Sequence, residues 1–470
     1  MKTSPDRRPV SRLSLLLAIG LVVWVFLFGG SARADALSQF FVRSGAILAA
    51  AVALAGISRT SLRDLRVLWL LLGAWVLLIA LQLLPLPPSI WTALPGREQF
   101  VQLAALAGIE QPWRQISLVP HRTANSLLAG LVPLATLLVI GRLPSSTLRA
   151  VLWTCLIMAI ISAFLGVLQV AAGGSSYFYD VSNRGNAVGL FANRNHQAAL
   201  LAASVPMLTG LAIMAQGTDR GRVVGVAAAL AFVLVLPVVF VTGSRSGLVL
   251  FALATAMSLL LAWKSGLAKI MKKGPSRRMA LGAGIAVAGA VAVLIAGNIG
   301  GVARLSDGDA AGDLRFVLLP VYIDMIAAYF PMGGGFGTFP DLFRIVEPDS
   351  NLQFAYVNHA HNDIAELLIE GGVFAGLIAL AGLAWYLRAS FAVWTTPMSS
   401  VASGETRMAH CLALVATVGL TVLLLSSLVD YPLRTPALAG YAAVLAVMLE
   451  RGRHIVASRS SYPKDGIAKA

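Results

Sequence analysis

Apolar runs alternate with shorter polar segments along nearly the whole chain. Twelve runs stand out: Leu13–Gly29, Phe40–Ile57, Val67–Leu84, Thr123–Ile140, Leu148–Ala172, Gln197–Met214, Val223–Val241, Ser246–Trp263, Met279–Ile299, Ile364–Leu387, Met408–Val429 and Pro432–Leu449. Each approaches the roughly 17–25 residues that a helix needs to cross a hydrocarbon core about 30 Å thick. The pattern predicts an all-α polytopic membrane protein of about twelve transmembrane helices. They group into residues 1–222 (six helices and an outer segment, 85–122), 223–387 (a core with a longer outer segment, 300–361) and 388–470 (two helices and a basic tail). Between the ninth and tenth runs, Arg315–Phe330 is apolar on average but carries Arg315, Pro320 and Asp324. That suits a helix lying at the membrane interface rather than across it. Gly333–Gly337 then reads as a flexible turn.

Composition agrees: 58% of residues are hydrophobic and only 12% charged. The net charge of +15 would suggest nucleic acid if it were clustered on a soluble face. Instead Lys and Arg concentrate in alternate segments, with Lys264–Arg278 the strongest group. Such a bias places both termini in the cytoplasm and makes the basic residues topology signals and contacts for anionic membrane lipids, with no nucleic-acid partner. Ala32-Arg33-Ala34 mimics a signal-peptidase site, but the preceding apolar run is long enough for an uncleaved anchor. Cys155 and Cys411 both fall inside predicted spans and imply neither a disulfide framework nor a metal site.

Polar residues gather at outer span ends: Asn193, Asn195 and His196; Arg245; Arg304; Arg315; and His359, His361, Asn362, Asp363, Glu366 and Glu370. All would face one aqueous compartment, as in an enzyme at the outer membrane surface, whereas a proton-coupled transporter more often buries an ionisable group at mid-depth. Arg245, Arg304 and Arg315 suit a pyrophosphate, because guanidinium matches phosphate oxygens bidentately. Arg245 equally fits an arginine snorkelling to water, and Arg304 and Arg315 ordinary loop charge. At 100° per residue, His359, Asp363, Glu366 and Glu370 fall within about 60° of one another on a helix. Asp363 and Glu366 also fit a relaxed capping box, with Asp363 as N-cap, so the helix would start after it and leave His361 in a loop. A capped helix start with loop histidines explains the same pattern without catalysis.

H-x-H-N-D has no matching ligand cluster for zinc. Asp307-Gly308-Asp309 lacks the later acidic positions of a calcium loop, and no Gly-rich Lys loop for ATP is present. No metal and no cofactor are expected.

Thr242–Gly247, Asp313–Arg315, Pro331–Phe339 and His359–Asp363 with Glu370–Gly372 resemble, in order, the O-antigen ligase-related family. That family includes O-antigen ligases, Wzy-type polysaccharide polymerases and protein O-oligosaccharyltransferases. The Asn193–His196 stretch is also similar to a family feature. The resemblance covers roughly Val223 to Leu387 and implies a GT-C-type glycosyltransferase of the bacterial inner membrane, with a long periplasmic loop between helices 9 and 10. The donor would be an undecaprenyl-pyrophosphate-linked glycan. The acceptor would be lipid A-core for a ligase, or another lipid-linked glycan for a polymerase. By position, Arg245 and Arg315 correspond to pyrophosphate-handling arginines and His361 to the catalytic histidine, with His359 as a second candidate and Asp363 beside it. Transfer would invert the anomeric carbon. A polyprenol-glycan flippase or exporter is the reading from another class.

Overall fold

The computed structural model describes residues 12–55, 63–172, 176–267, 317–352, 357–398 and 404–460. All but the ninth of the twelve predicted runs coincide with described helices; the ninth, Met279–Ile299, lies outside the described residues, as do Arg304 and Arg315. In chain order the helices are α1 (Arg12–Phe28), α2 (Ser38–Leu54), α3 (Arg66–Gln82), α4 (Pro88–Trp91), α5 (Glu98–Leu106), α6 (Pro120–Ala129), α7 (Leu131–Ile140), α8 (Ser145–Ala172) and α9 (Arg194–Met214). Then follow α10 (Gly221–Val241), α11 (Arg245–Lys264), α12 (Leu319–Tyr329), α13 (Phe339–Val346), α14 (Asp363–Thr395), α15 (Gly404–Ser426) and α16 (Pro436–Ser460). Among the described residues, seven helical stretches are long and apolar enough to cross a membrane, fewer than the twelve runs predicted. α1, α2 and α3 are apolar but only 17 residues each, at the short end of the crossing range.

Two helices form the centre. α9 is buried along almost its whole length and packs against α8, α10, α11 and α15, while α15 also packs against α16. A helix apolar on every side belongs inside a bundle, because it has no polar face to give to water. α9 also carries Gly210, where a Cβ would lie 2.3 Å from a methyl of Val415, so the glycine lets α9 and α15 approach closely.

Residues 85–122 and 331–346 form a compact layer against one end of this bundle. The strands β1 (Pro85–Leu86) and β2 (Arg114–Gln115) pair antiparallel with Pro85 opposite Gln115. The fully buried Arg97 donates to the carbonyls of Pro95, Ile116 and Gly333. Burial pulls its pKa down to about 10.

Gly333–Gly337 is not a flexible turn. Gly334 and Gly335 N–H groups donate to the Ile369 and Glu370 carbonyls at 2.9 Å each, and Phe336 N–H donates to Gln82 Oε1 at 3.0 Å. Gln82 Nε2 in turn donates to the Glu370 carbonyl at 2.9 Å. The glycines are needed for fit rather than mobility: Gly335 has φ 110°, and a Cβ there would lie 2.3 Å from Ser117 Oγ. The carbonyls they bond are set free where α14 breaks its helical path at Gly372 (φ 59°, ψ −152°). α12, eleven residues long, spans only about 16 Å and so falls short of the hydrocarbon core. It packs on α14 through an apolar cluster that includes Tyr322, Phe339, Phe343 and Ile369.

Candidate functional site

Four helix starts meet at one end of the bundle. α9 begins at Asn193, whose side chain accepts from Asn195 N–H at 2.8 Å. α11 begins at Ser244, whose hydroxyl accepts from Gly247 N–H at 3.0 Å. α14 begins at Asn362, whose side-chain Oδ1 accepts from Ile364 and Ala365 N–H at 3.0 Å each. α16 begins at Pro436, just after Thr435, whose hydroxyl meets His196 Nδ1 at 2.9 Å. A Cβ at Gly247 would collide with Ala198, so α11 and α9 start side by side. Helix N-termini expose backbone N–H groups and partial positive charge, and their convergence favours an anion. Arg245 sits exposed at the first position of α11.

Asp363 is not the N-cap expected from the sequence. Asn362 caps α14, and Asp363 is drawn elsewhere: its Oδ2 accepts from Ser427 Oγ at 2.8 Å and its Oδ1 from Arg434 Nε at 3.2 Å. Glu366 makes no capping box either. Its Oε2 accepts from Ala360 N–H at 2.8 Å and its Oε1 meets His359 Nδ1 at 2.7 Å.

Of the four residues expected on one helix face, Asp363, Glu366 and Glu370 do share it, with one cation at its centre, while His359 lies in the loop before α14. Arg434 lies 3.2 Å from Asp363, 3.0 Å from Glu366 and 2.9 Å from Glu370. Glu370 also accepts from Phe339 N–H at 3.1 Å. Carboxylates so deeply buried need such partners, since an unpaired charge out of water is costly.

His361 differs from His359. It stands in the loop before α14 with φ 50°, a left-handed conformation uncommon for a residue with a side chain and often found at functional sites. Its Nδ1 lies 3.1 Å from Oδ1 of Asp430, which is completely buried. The histidine side chain keeps 35% of its exposure, against 14% for His359. Both rings lean on Tyr431: the centroid of His359 lies 4.2 Å from its ring and that of His361 5.0 Å. His196, also buried, meets the same ring at 5.0 Å. The Tyr431 hydroxyl accepts from Asn193 Nδ2 at 3.4 Å. Burial, then the adjacent Asp430 carboxylate, pushes its pKa up, so the phenol stays neutral.

Chemically, a buried carboxylate on one imidazole nitrogen leaves the other free to take a proton from a hydroxyl at the mouth of the site. Of the residues singled out in the sequence, His359, His361, Asp363 and Glu370 come together around Tyr431 and Arg434. Asn193 and His196 join them from α9, and Asn362 caps the helix. Asn195 and Arg245 lie at the same end. Asp430, Tyr431 and Arg434 went unnoticed. Asp430 and Tyr431 form only the two-residue gap between the runs Met408–Val429 and Pro432–Leu449, and Arg434 falls inside the second run.

Residues 227–380 match the family model described as O-antigen ligase (Wzy_C). The match takes in most of α10, all of α11, α12 and α13, and the first half of α14, with both histidines. No curated protein matches the chain.

Proposed function

We propose, for a chain whose residues 227–380 form an O-antigen ligase-related domain, that it moves a glycan from undecaprenyl pyrophosphate to an acceptor hydroxyl at the periplasmic face of the inner membrane. The observation that carries this reading is the His361–Asp430 pair: a partly exposed imidazole backed by a wholly buried carboxylate, where helix N-termini converge.

With its Nδ1 proton directed to Asp430, His361 takes the acceptor proton on Nε2 as the hydroxyl oxygen attacks the anomeric carbon. The bond from that carbon to the phosphate oxygen breaks, and undecaprenyl pyrophosphate leaves with the electron pair. A single displacement inverts the anomeric carbon. Charge developing on the leaving group is offset by Arg245 and the helix N-termini, with Arg315, which the family resemblance assigns to the pyrophosphate, and Arg304 as further donors in this scheme. The donor bond is already activated, so the step needs no nucleotide and, in this scheme, no metal.

The acceptor we favour is lipid A-core, because the matching family model is described as O-antigen ligase. Polymerisation onto a second lipid-linked glycan uses the same base and donor. Deleting the gene separates the readings. Lipid A-core without O-chain, beside accumulated lipid-linked polymer, supports ligation. Single repeats on lipid A-core mean polymerisation. Lipid-linked repeats trapped in the cytoplasm would sink both in favour of a flippase.

A further inference from the structure

We propose that Arg434 is a positioning residue for the His361–Asp430 pair, tying the turn that carries the carboxylate to the loop that carries the imidazole. The proposal rests on reading His361 as the base.

The two members of the pair come from separate segments. Asp430 lies between α15 and α16, in the short break that ends with the 3-10 turn Pro432–Arg434. His361 lies in the loop before α14. The hydrogen bond to Asp430 and the edge of the Tyr431 ring orient the imidazole only while the two segments keep their places, because a side chain free to rotate loses orientation entropy each time it must align. Arg434 spans the gap. Its N–H donates to the Tyr431 carbonyl at 3.2 Å, which anchors it in the Asp430 turn. Its guanidinium reaches Asp363, Glu366 and Glu370 on α14.

From those carboxylates the connection continues to the histidine loop. Glu366 Oε2 accepts from the N–H of Ala360, the residue immediately before His361. Glu366 Oε1 holds His359, the residue before that. Asp363, two residues after His361, takes Ser427 Oγ and donates its own N–H to the Ser427 carbonyl at 2.9 Å. The His361 backbone, at φ 50°, is thus pinned on both sides in a conformation it would not keep unaided. Lysine cannot replace this arginine: a point charge with one nitrogen cannot occupy two directions of a planar fork at once.

The test uses the purified full chain in detergent, with Arg434→Lys as the main variant. The double variant Arg434→Gln/Glu370→Gln is used if the first does not fold, since it also removes one buried negative charge. The first readout, independent of glycan transfer, is backbone hydrogen exchange. We expect faster exchange in peptides covering both 357–363 and 427–435, and no change at Gln82–Leu84. The second readout is steady-state transfer. We expect kcat to fall about 10- to 100-fold with donor KM unchanged, the range seen when a partner that orients a functional group is removed. In an Asp430→Asn background the Arg434 substitution should cost nothing further, because the two act through one geometry. Unchanged protection in either segment overturns the proposal. So does a raised donor KM with kcat intact, which would make Arg434 a donor contact, and so do fully additive losses. A wild type without any transfer would remove the functional reading, while exchange would still decide whether Arg434 ties the two segments.

Discussion

Two imidazole–carboxylate pairs share one tyrosine ring, and the loops around them treat them in opposite ways. His359 lies on the floor, held by Glu366, which is itself held by Arg434 and the Ala360 N–H. Every contact there is inward, and the ring is largely covered. His361 lies at the mouth, with a buried carboxylate behind it and its ring partly open in front. Two residues of separation and a left-handed backbone at His361 suffice to split one sequence pattern, His-Ala-His, into a largely covered imidazole and a more open one. Burial and backbone conformation, rather than residue type, distinguish them.

Breaking the mouth should cost most. His361→Ala is expected to lower transfer by about 10²–10⁴-fold, the usual contribution of a general base, with donor binding retained. Equilibrium binding of the lipid-linked donor beside initial rates checks both halves; a variant that binds poorly but reacts normally would move His361 out of the chemistry. Asp430→Asn follows, at about 10²-fold, because the amide keeps the shape but loses the charge that stabilises an imidazolium. Its kcat should drop while KM holds. Arg245→Lys should cost about tenfold, since Lys keeps the charge and loses the bidentate fork; near-normal transfer would make Arg245 a membrane anchor. The floor should be the most forgiving. His359→Gln, which still offers Glu366 a donor, is expected to cost less than about fivefold, as removal of one supporting hydrogen bond does. A His359 variant more damaged than His361→Ala would reverse the comparison.

Much of this arrangement was legible in the sequence. The apolar runs within the described residues found their helices because a hydrocarbon solvent leaves helix as the local way to satisfy backbone groups. The 100° arithmetic holds for Asp363, Glu366 and Glu370, which share one face around Arg434, but not for His359, which stands in the loop before the helix begins. What the arithmetic missed was long-range. Asp363 looks like an N-cap locally, but Ser427 and Arg434, over 60 positions away, recruit it and leave the cap to Asn362. Gly333–Gly337 looked mobile because glycine permits motion; here its missing side chains permit close packing against Ser117 and the Glu370 carbonyl. Asp430 and Tyr431 were invisible for the same reason: their partners lie in other segments, and no local spacing announces them.

The most direct test of the account is transfer by purified protein in detergent, supplied with undecaprenyl-pyrophosphate-linked glycan and lipid A-core, without nucleotide. Wild type and His359→Gln should both form glycosylated lipid A-core and release undecaprenyl pyrophosphate, with an inverted anomeric linkage, while His361→Ala forms almost none. A His361→Ala protein that folds, binds the donor and transfers at the wild-type rate would contradict the account.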